Sequence, residues 1–478
     1  MSFTRVSYFA GTDLSGARSD EHAERYFRAW ILLHDAWAVR ARRCREAALG
    51  TQSVVVVVAG VRTPFARAGG EFRDLDAVHL GAHVVSELLQ RTGLDPRHVD
   101  EVILGNIAQP AEATNVARVV ALRAGIPADR PAYTVQRNCA SGMQAITSAA
   151  EKILTGSAQV VVAGGTESMS RIPLLFPQEM SDWMAAMLRA RSFRAKLGTA
   201  ARFRPRFLRP RIALEMGLTD GHAGLSMGQT AEVLAREFGI RRADQDRWAY
   251  TSHQRAVAAR ERLEDEIAPL PTAGFTRWTD TDMGPRPDIS LERLGTMKPY
   301  FDRRCGTVTI GNSCPITDGA AAVLVMHRDA ARRLGCAPLG TLRGWAYAGL
   351  EPQRMGLGPA YATARALEQT GLALHDIDLV ELNEAFAAQV LANLQVFERG
   401  VQGAGRLPLA RLGDLDPERL NVNGGAIAIG HPVGASGARL VLTLLHEMRR
   451  RDAGIGLATL CIGGGQGAAL VFERNGKG

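Results

Sequence analysis

Two stretches carry residues that could do chemistry at neutral pH. In VQRNCASGMQAI (135–146), Cys139 stands where a strand-like run (AYTVQ) gives way to a helical pattern with Met143, Ile146, Ala150 and Ile153 on one stripe. A thiol at a helix start feels the positive end of the dipole, which is expected to lower its pKa and favour the nucleophilic thiolate. The small neighbours Ala140, Ser141 and Gly142 leave the sulfur approachable. Taken alone, Cys139 reads more plainly as a core thiol, because free cysteine is among the most buried residue types. The second stretch, GHPVGASG (430–437), repeats the layout with His431 as the presented side chain, ahead of the helical pattern ARLVLTLLHEM. Pro432 fixes the turn and the glycines permit close backbone approach. A lone histidine is usually structural. One that shares the setting of Cys139 is a better candidate for a base.

Two further strand ends are suggestive. CIGGGQG (461–467) follows the apolar run GIGLATL, so Cys461 lies at a strand end. Gly463, Gly464 and Gly465 there expose backbone N–H groups that could cradle an oxyanion. NEAF (383–386) ends the run DLVEL, where Asn383 could hold a water or a carbonyl, or simply cap a helix.

The elements that must position these residues form a unit written twice. GLDPRHVDEVIL (93–104) and GLALHDIDLVEL (371–382) align without a gap, and TDGAAAVLVM (317–326) echoes GQGAALVFE (465–473) in the same order. The first copy runs from SVVVVVAG (53–60) to VVVAGG (160–165) and resumes near GTVTIGN (306–312), after about 140 intervening residues. Alternating apolar runs and helical patterns predict an α/β class with buried sheets. The expected organisation is an N-terminal extension (1–51), a first half (52–170 plus 297–330), an inserted domain (171–296) and a second half (331–478).

Charge and cysteine usage narrow the setting. Residues 171–211 hold ten Lys/Arg against Glu179 and Asp182, which equals the +8 of the whole chain. The positive field is therefore local, with a basic segment at 182–211, and suggests an anionic ligand or surface there. Met184, Met187 and Leu188 lie at helical spacing within it. The six cysteines are scattered with no CxxC, which argues for a reducing compartment and against disulfides or a zinc site. No apolar run reaches a membrane span. Residues 20–48 read as one amphipathic helix whose acidic residues count against a transit peptide.

The ordered motifs NCASGMQAI, VVVAGGTESMS, MGQTAE, DQDRWAYTSHQRA, GTVTIGNSCPITDGAAAV, NEAF, GHPVGASG and CIGGGQG resemble those of thiolases, acyl-CoA:acetyl-CoA C-acyltransferases, over about residues 52–475. The resemblance implies a duplicated fold, a five-layered αβαβα sandwich with an inserted loop domain covering coenzyme A. It implies Cys139 as the acyl-accepting nucleophile, and His431 as its base and a donor to the thioester oxygen. Cys461 would be the acid/base at the acetyl α-carbon, Asn383 the holder of a water, and the N–H groups of Cys139 and Gly463 an oxyanion hole. Met227, Ser313 and Cys314, the last where many thiolases have serine, would lie against CoA. Coenzyme A is then a substrate, with no resident cofactor and no metal.

TNVARVVALRAG (114–125), the basic insert and LGPAYATARALEQTGL resemble the β-subunit of the trifunctional fatty-acid oxidation complex, which binds a hydratase/dehydrogenase α-subunit. NCASGMQAI and NEAF instead resemble ordinary soluble thiolases. The implied setting is fatty-acid β-oxidation in a bacterial cytoplasm, by a homodimer or tetramer, with an α-subunit or a membrane surface as further partners. Acetoacetyl-CoA synthesis is the alternative. A β-ketoacyl synthase would carry a second histidine in place of NEAF, and a non-catalytic lipid carrier would lack one of the reactive side chains. A nucleic-acid binder would need a recognition module that is not found.

Overall fold

The computed structural model describes residues 54–272, 277–403 and 406–474; the expected N-terminal helix and Cys44 lie outside them. The first half opens with β1 (Val55–Arg62), a β-branched run buried on both faces. Helix α1 (Ala77–Thr92) starts at Asp76, which accepts from His79 N at 2.7 Å, and stops at Gly93 in the left-handed region (φ 63). There follow β2 (Glu101–Gly105), α2 (Val116–Arg123), β3 (Ala132–Val135), α3 (Ser141–Leu154) and β4 (Val160–Glu167). The inserted region contributes α4 (Gln178–Arg189), α5 (Phe193–Ala200), α6 (Met227–Glu237) and α7 (Arg242–Ala258). Strand β5 (Thr317–His327) closes the first half. The second half comprises β6 (Gly340–Gly349), α8 (Gly358–Thr370), β7 (Leu379–Leu382), α9 (Ala387–Arg399), α10 (Val433–Arg451), β8 (Ile455–Ile462) and β9 (Gln466–Glu473).

Strand order exposes the duplication. The first half runs β3-β2-β4-β5-β1, with parallel pairs from β3 to β4 and antiparallel pairs from β4 to β1. The second runs β7-β8-β9-β6 with the same senses, and a parallel bridge from Val380 to Leu420 stands in for the fifth strand. The repeated sequences fall on equivalent positions. Asp100 accepts from the N–H groups of Gln159 and Val160, and Asp378 does the same for Gly454 and Ile455. Each carboxylate thus ties the start of one strand to the start of its neighbour. The halves join edge to edge where Val56 and Val57 meet Thr341 and Gly340.

Alternation along the strands sorts the core into layers. Val56, Val102 and Val162 face α1 and α2, whereas Val57, Ile103 and Val161 face the central helices α3 and α10. Helices α8 and α9 cover the outer face of the second half. The result is the αβαβα sandwich. Gly142 and Gly437 let α3 and α10 cross closely: a Cβ on Gly142 would stand 2.7 Å from Ala438 N, and one on Gly437 2.6 Å from Met143 N. Their first turns therefore touch. Among the described residues, no strand of the central sheet falls between β4 and β5. The fully buried Arg62 anchors this intervening region, pairing with Glu266 at 2.6 Å and Asp282 at 2.7 Å.

Candidate active site

Cys139 lies in the turn between β3 and α3. Asn138 adopts a left-handed conformation (φ 42), which asparagine tolerates better than most residues. Ser141 locks the turn: its hydroxyl donates to Asn138 O at 2.7 Å and accepts from Arg137 N at 2.8 Å. Asn138 Nδ2 reaches into the second half and donates to Gly463 O at 2.8 Å. The N–H groups of Gly463 and of Cys139 itself are directed at the Cys139 sulfur. The expectation of a lowered thiol pKa is corrected here. Burial pushes the Cys139 thiol up from its ordinary 9.0, and these two N–H groups offset only part of that. The group at rest is a thiol.

His431 precedes α10 as Cys139 precedes α3. Its Nδ1 lies 2.6 Å from Ser436 Oγ, which in turn lies 2.9 Å from Pro432 O. A hydroxyl has one proton, so satisfying both contacts requires Ser436 to donate to Pro432 and Nδ1–H to donate to Ser436. That fixes the tautomer and leaves Nε2 as the proton acceptor. Burial, with the Arg439 charge beside it, lowers the imidazole to about 4, so it is neutral near pH 7. Glu167, at the end of β4, pins this loop by accepting from Gly434 N at 3.0 Å and from Ile107 N and Ala108 N at 3.1 Å.

Cys461, 1% exposed, is the penultimate residue of β8, beside the glycine turn where Gly464 and Gly465 have φ of 92 and 79. Burial raises its thiol well above the ordinary value, with Cys139 and Cys314 adding to the rise. Cys461 packs in an apolar cluster with Met227, Phe301, Met355 and Phe386. The Met227 sulfur would stand 3.2 Å from a Cβ on Gly463. Ser313 Oγ donates to Thr309 O at 2.6 Å, and Cys314 N donates to Ala385 O at 3.0 Å. Cys314 is the more open of the pair, and burial pushes its thiol up to about 12.

Asn383 is not a helix cap, since α9 begins at Ala387 after Phe386. Its side chain is fully buried, and among the described residues neither Oδ1 nor Nδ2 has a partner. Such an amide is what a bound water or substrate oxygen would satisfy. The adjacent Glu384 fixes the turn by accepting from Trp248 Nε1 (3.1 Å), Ser252 Oγ (2.6 Å) and Asn421 Nδ2 (2.9 Å). Glu384, Glu167 and Ser436 were not singled out by sequence, and neither was the cluster of Phe301, Met355 and Phe386. Ser436 lies inside GHPVGASG, Glu384 and Phe386 inside NEAF and Glu167 inside VVVAGGTESMS, so each of these left a local signal in a quoted motif, whereas Phe301 and Met355 did not.

The site joins a thiol, an imidazole with a free Nε2, a second buried thiol and a set of convergent N–H groups. Those are the parts of a thiol-based acyltransferase. Two family models match the chain, thiolase N-terminal domain over residues 55–329 and thiolase C-terminal domain over 336–474. The chain is similar to the 3-ketoacyl-CoA thiolase of Pectobacterium atrosepticum, 42% identical over 423 residues, covering 88% of this chain and 96% of that protein. Among solved structures it is similar to the acetyl-CoA acetyltransferase of Bacillus anthracis (TM-score 0.78, 38% identity, 88% of this chain and 99% of that one). It is also similar to human mitochondrial 3-ketoacyl-CoA thiolase in complex with CoA (TM-score 0.77, 37% identity, 89% of this chain and 99% of that one). The chain belongs to the thiolase family.

Proposed function

We propose that the protein cleaves 3-ketoacyl-CoA with coenzyme A, as a thiolase of fatty-acid β-oxidation. The observation that carries this reading is the hydrogen bond from Asn138 Nδ2 to Gly463 O at 2.8 Å, which holds the Cys139 turn of one half against the Cys461 turn of the other. His431 Nε2 takes the Cys139 proton as sulfur attacks the 3-keto carbon. The N–H groups of Cys139 and Gly463 receive the developing oxyanion. The C2–C3 bond breaks, its electron pair goes to C2, and the Cys461 thiol protonates C2 to release acetyl-CoA. The Cys461 thiolate then deprotonates the incoming CoA thiol, which attacks the acyl group. The Cys139 thiolate leaves and recovers its proton from His431. Protonated His431 donates from Nε2 to the thioester oxygen, and Asn383 holds a water on the same side.

The cluster of Met227, Phe301, Met355 and Phe386 supplies an apolar wall for pantetheine and acyl carbons, with Ser313 and Cys314 at its edge. The likeness to the Bacillus anthracis acetyltransferase supports a second reading, condensation of two acetyl-CoA. Thiolysis rates over a series of 3-ketoacyl-CoA chain lengths separate the two. Activity confined to acetoacetyl-CoA favours the second reading, and activity rising with chain length the first. Absence of CoA-dependent loss of any 3-ketoacyl-CoA rejects both.

Assembly belongs to the same proposal. Among the described residues strand β3 is a sheet edge paired on one side, with half-buried residues, which supports a homodimer formed edge to edge. Light scattering of the purified protein tests it, and co-expression with a hydratase/dehydrogenase subunit tests the further partner. A reducing bacterial cytoplasm suits a nucleophile that must remain a free thiol.

A further inference from the structure

Ahead of α6 the chain makes an excursion closed at its base by pairing of Leu174–Leu175 with Arg211–Ile212. Neither α4 nor α5, inside it, contains a buried residue. A small aromatic knot holds the excursion in shape. Trp183 and Phe207 each pack edge-on to Phe203, with centroids 5.1 and 5.8 Å apart, and Trp183 Nε1 donates to Thr199 O at 2.9 Å. The outward face is therefore set by the fold, and it is apolar. Leu188 is 86% exposed, Phe193 80%, Leu197 61% and Met184 47%. Met184 and Leu188 stand four apart on α4, and Phe193 and Leu197 four apart on α5, so each pair forms a stripe. An ordinary surface helix turns such a stripe inward.

The charge around these stripes has one sign. Nine Lys/Arg lie between residues 189 and 211, and no acidic residue falls between Asp182 and Glu215. Among the described residues none of the nine makes an ion pair; Arg204 bonds carbonyls of its own loop and Arg206 sits over the Phe207 ring.

We infer that this excursion docks on an anionic lipid surface, with Leu188 and Phe193 entering the interfacial zone and the surrounding cations meeting lipid phosphates. The two components occur together, as an interfacial anchor requires. The apolar side chains project singly from two convex helices. A protein partner would need a separate cavity for each, whereas a bilayer interface deforms around them. Among the described residues no helix is long and apolar enough to cross a membrane, so the contact is peripheral. Beyond its base the chain leads on to Met227 at the start of α6, which lies beside the Gly463 turn. The inference goes beyond the thiolase reading, which does not require it.

The test is co-sedimentation with vesicles of phosphatidylcholine alone or mixed with phosphatidylglycerol. The protein is expected to sediment with the anionic vesicles only and to be released by salt. Changing Arg202, Arg204, Arg206 and Arg209 together to glutamate should lower the partition coefficient by on the order of 100-fold or more. The pair Leu188→Ser and Phe193→Ser, which leaves charge unchanged, should lower it by about tenfold. Both variants should retain thiolysis of a soluble short substrate, which separates failure of docking from failure of the active site. Equal sedimentation of the glutamate variant overturns the inference. So does binding that the serine pair leaves intact, or retention of an acidic protein without vesicle binding. A raised KM for CoA with vesicle binding unchanged assigns the cations to the ligand.

Discussion

Cys139 and His431 occupy the same station in the two halves: each lies two residues before the first residue of a central helix, Ser141 of α3 or Val433 of α10. Neither helix has a side-chain N-cap, Ala140 and Pro432 standing at those positions. In α10 the Glu167 carboxylate takes the place of such a cap, accepting from Gly434 N at 3.0 Å in the first turn. Because the first turns touch through Gly142 and Gly437, both reactive side chains are delivered to one end of the central layer.

The nucleophile assignment has a direct consequence. Cys139→Ala should abolish the acetyl adduct that intact-protein mass spectrometry detects after mixing with acetyl-CoA. An adduct of equal occupancy in the variant would move the nucleophile elsewhere.

The raised thiol sets a pH response. With its pKa above the ordinary 9.0, the thiolate fraction of Cys139 rises tenfold per pH unit throughout the neutral range. Alkylation of Cys139 by iodoacetamide, followed by peptide mass spectrometry, should accelerate continuously from pH 7 to pH 9. A plateau near neutrality would mean a resting thiolate-imidazolium pair, contrary to the neutral His431 found here.

The two thiols should separate kinetically. Cys461→Ser should retain part of the acylation of Cys139 and lose deuterium exchange at the acetyl α-carbon, while His431→Ala should impair both. If Cys461→Ser kept turnover within about threefold, equivalent to ~0.7 kcal/mol, its proton-transfer role would be wrong.

Asn383 allows function and stability to be read apart. Its side-chain amide makes no hydrogen bond among the described residues, so Asn383→Leu, similar in shape, should leave the thermal midpoint unchanged or raise it. Turnover should fall on the order of 100-fold. A variant that unfolds more easily and loses activity only in proportion would make the residue structural.

Ser436 is a positioning residue acting through His431. Ser436→Ala should cost about 1 kcal/mol of stability and slow single-turnover acylation by roughly tenfold, through loss of the fixed tautomer. The same stability loss with unchanged acylation would assign Ser436 to packing alone.

What could be read from the chain and what could not divide along a physical line. Cys139, His431, Cys461 and Asn383 were legible because each sits in a strand-to-turn or turn-to-helix junction that local patterning marks. The duplication was legible because Gly93 and Gly371 stop equivalent helices, and Asp100 and Asp378 tie equivalent strands. The direction of the Cys139 shift was misjudged because the helix start is local, whereas the burial that dominates comes from the other half. Glu384 was missed because Trp248, Ser252 and Asn421 lie 136, 132 and 37 residues away in sequence. Met184, Met187 and Leu188 lie at helical spacing, yet Leu188 is 86% exposed and Met187 half-buried, a difference that spacing alone does not encode.

The fusion of two copies into one chain has a consequence for what the site can contain. Two identical subunits related by a twofold axis would have to present the same residue at both helix starts, thiol facing thiol or imidazole facing imidazole. With both copies on one polypeptide, a substitution at one helix start is not forced on the other. Covalent continuity from β5 to β6 therefore makes possible a division of labour that a symmetric ancestor could not encode: a nucleophile from one copy and the base that deprotonates it from the other.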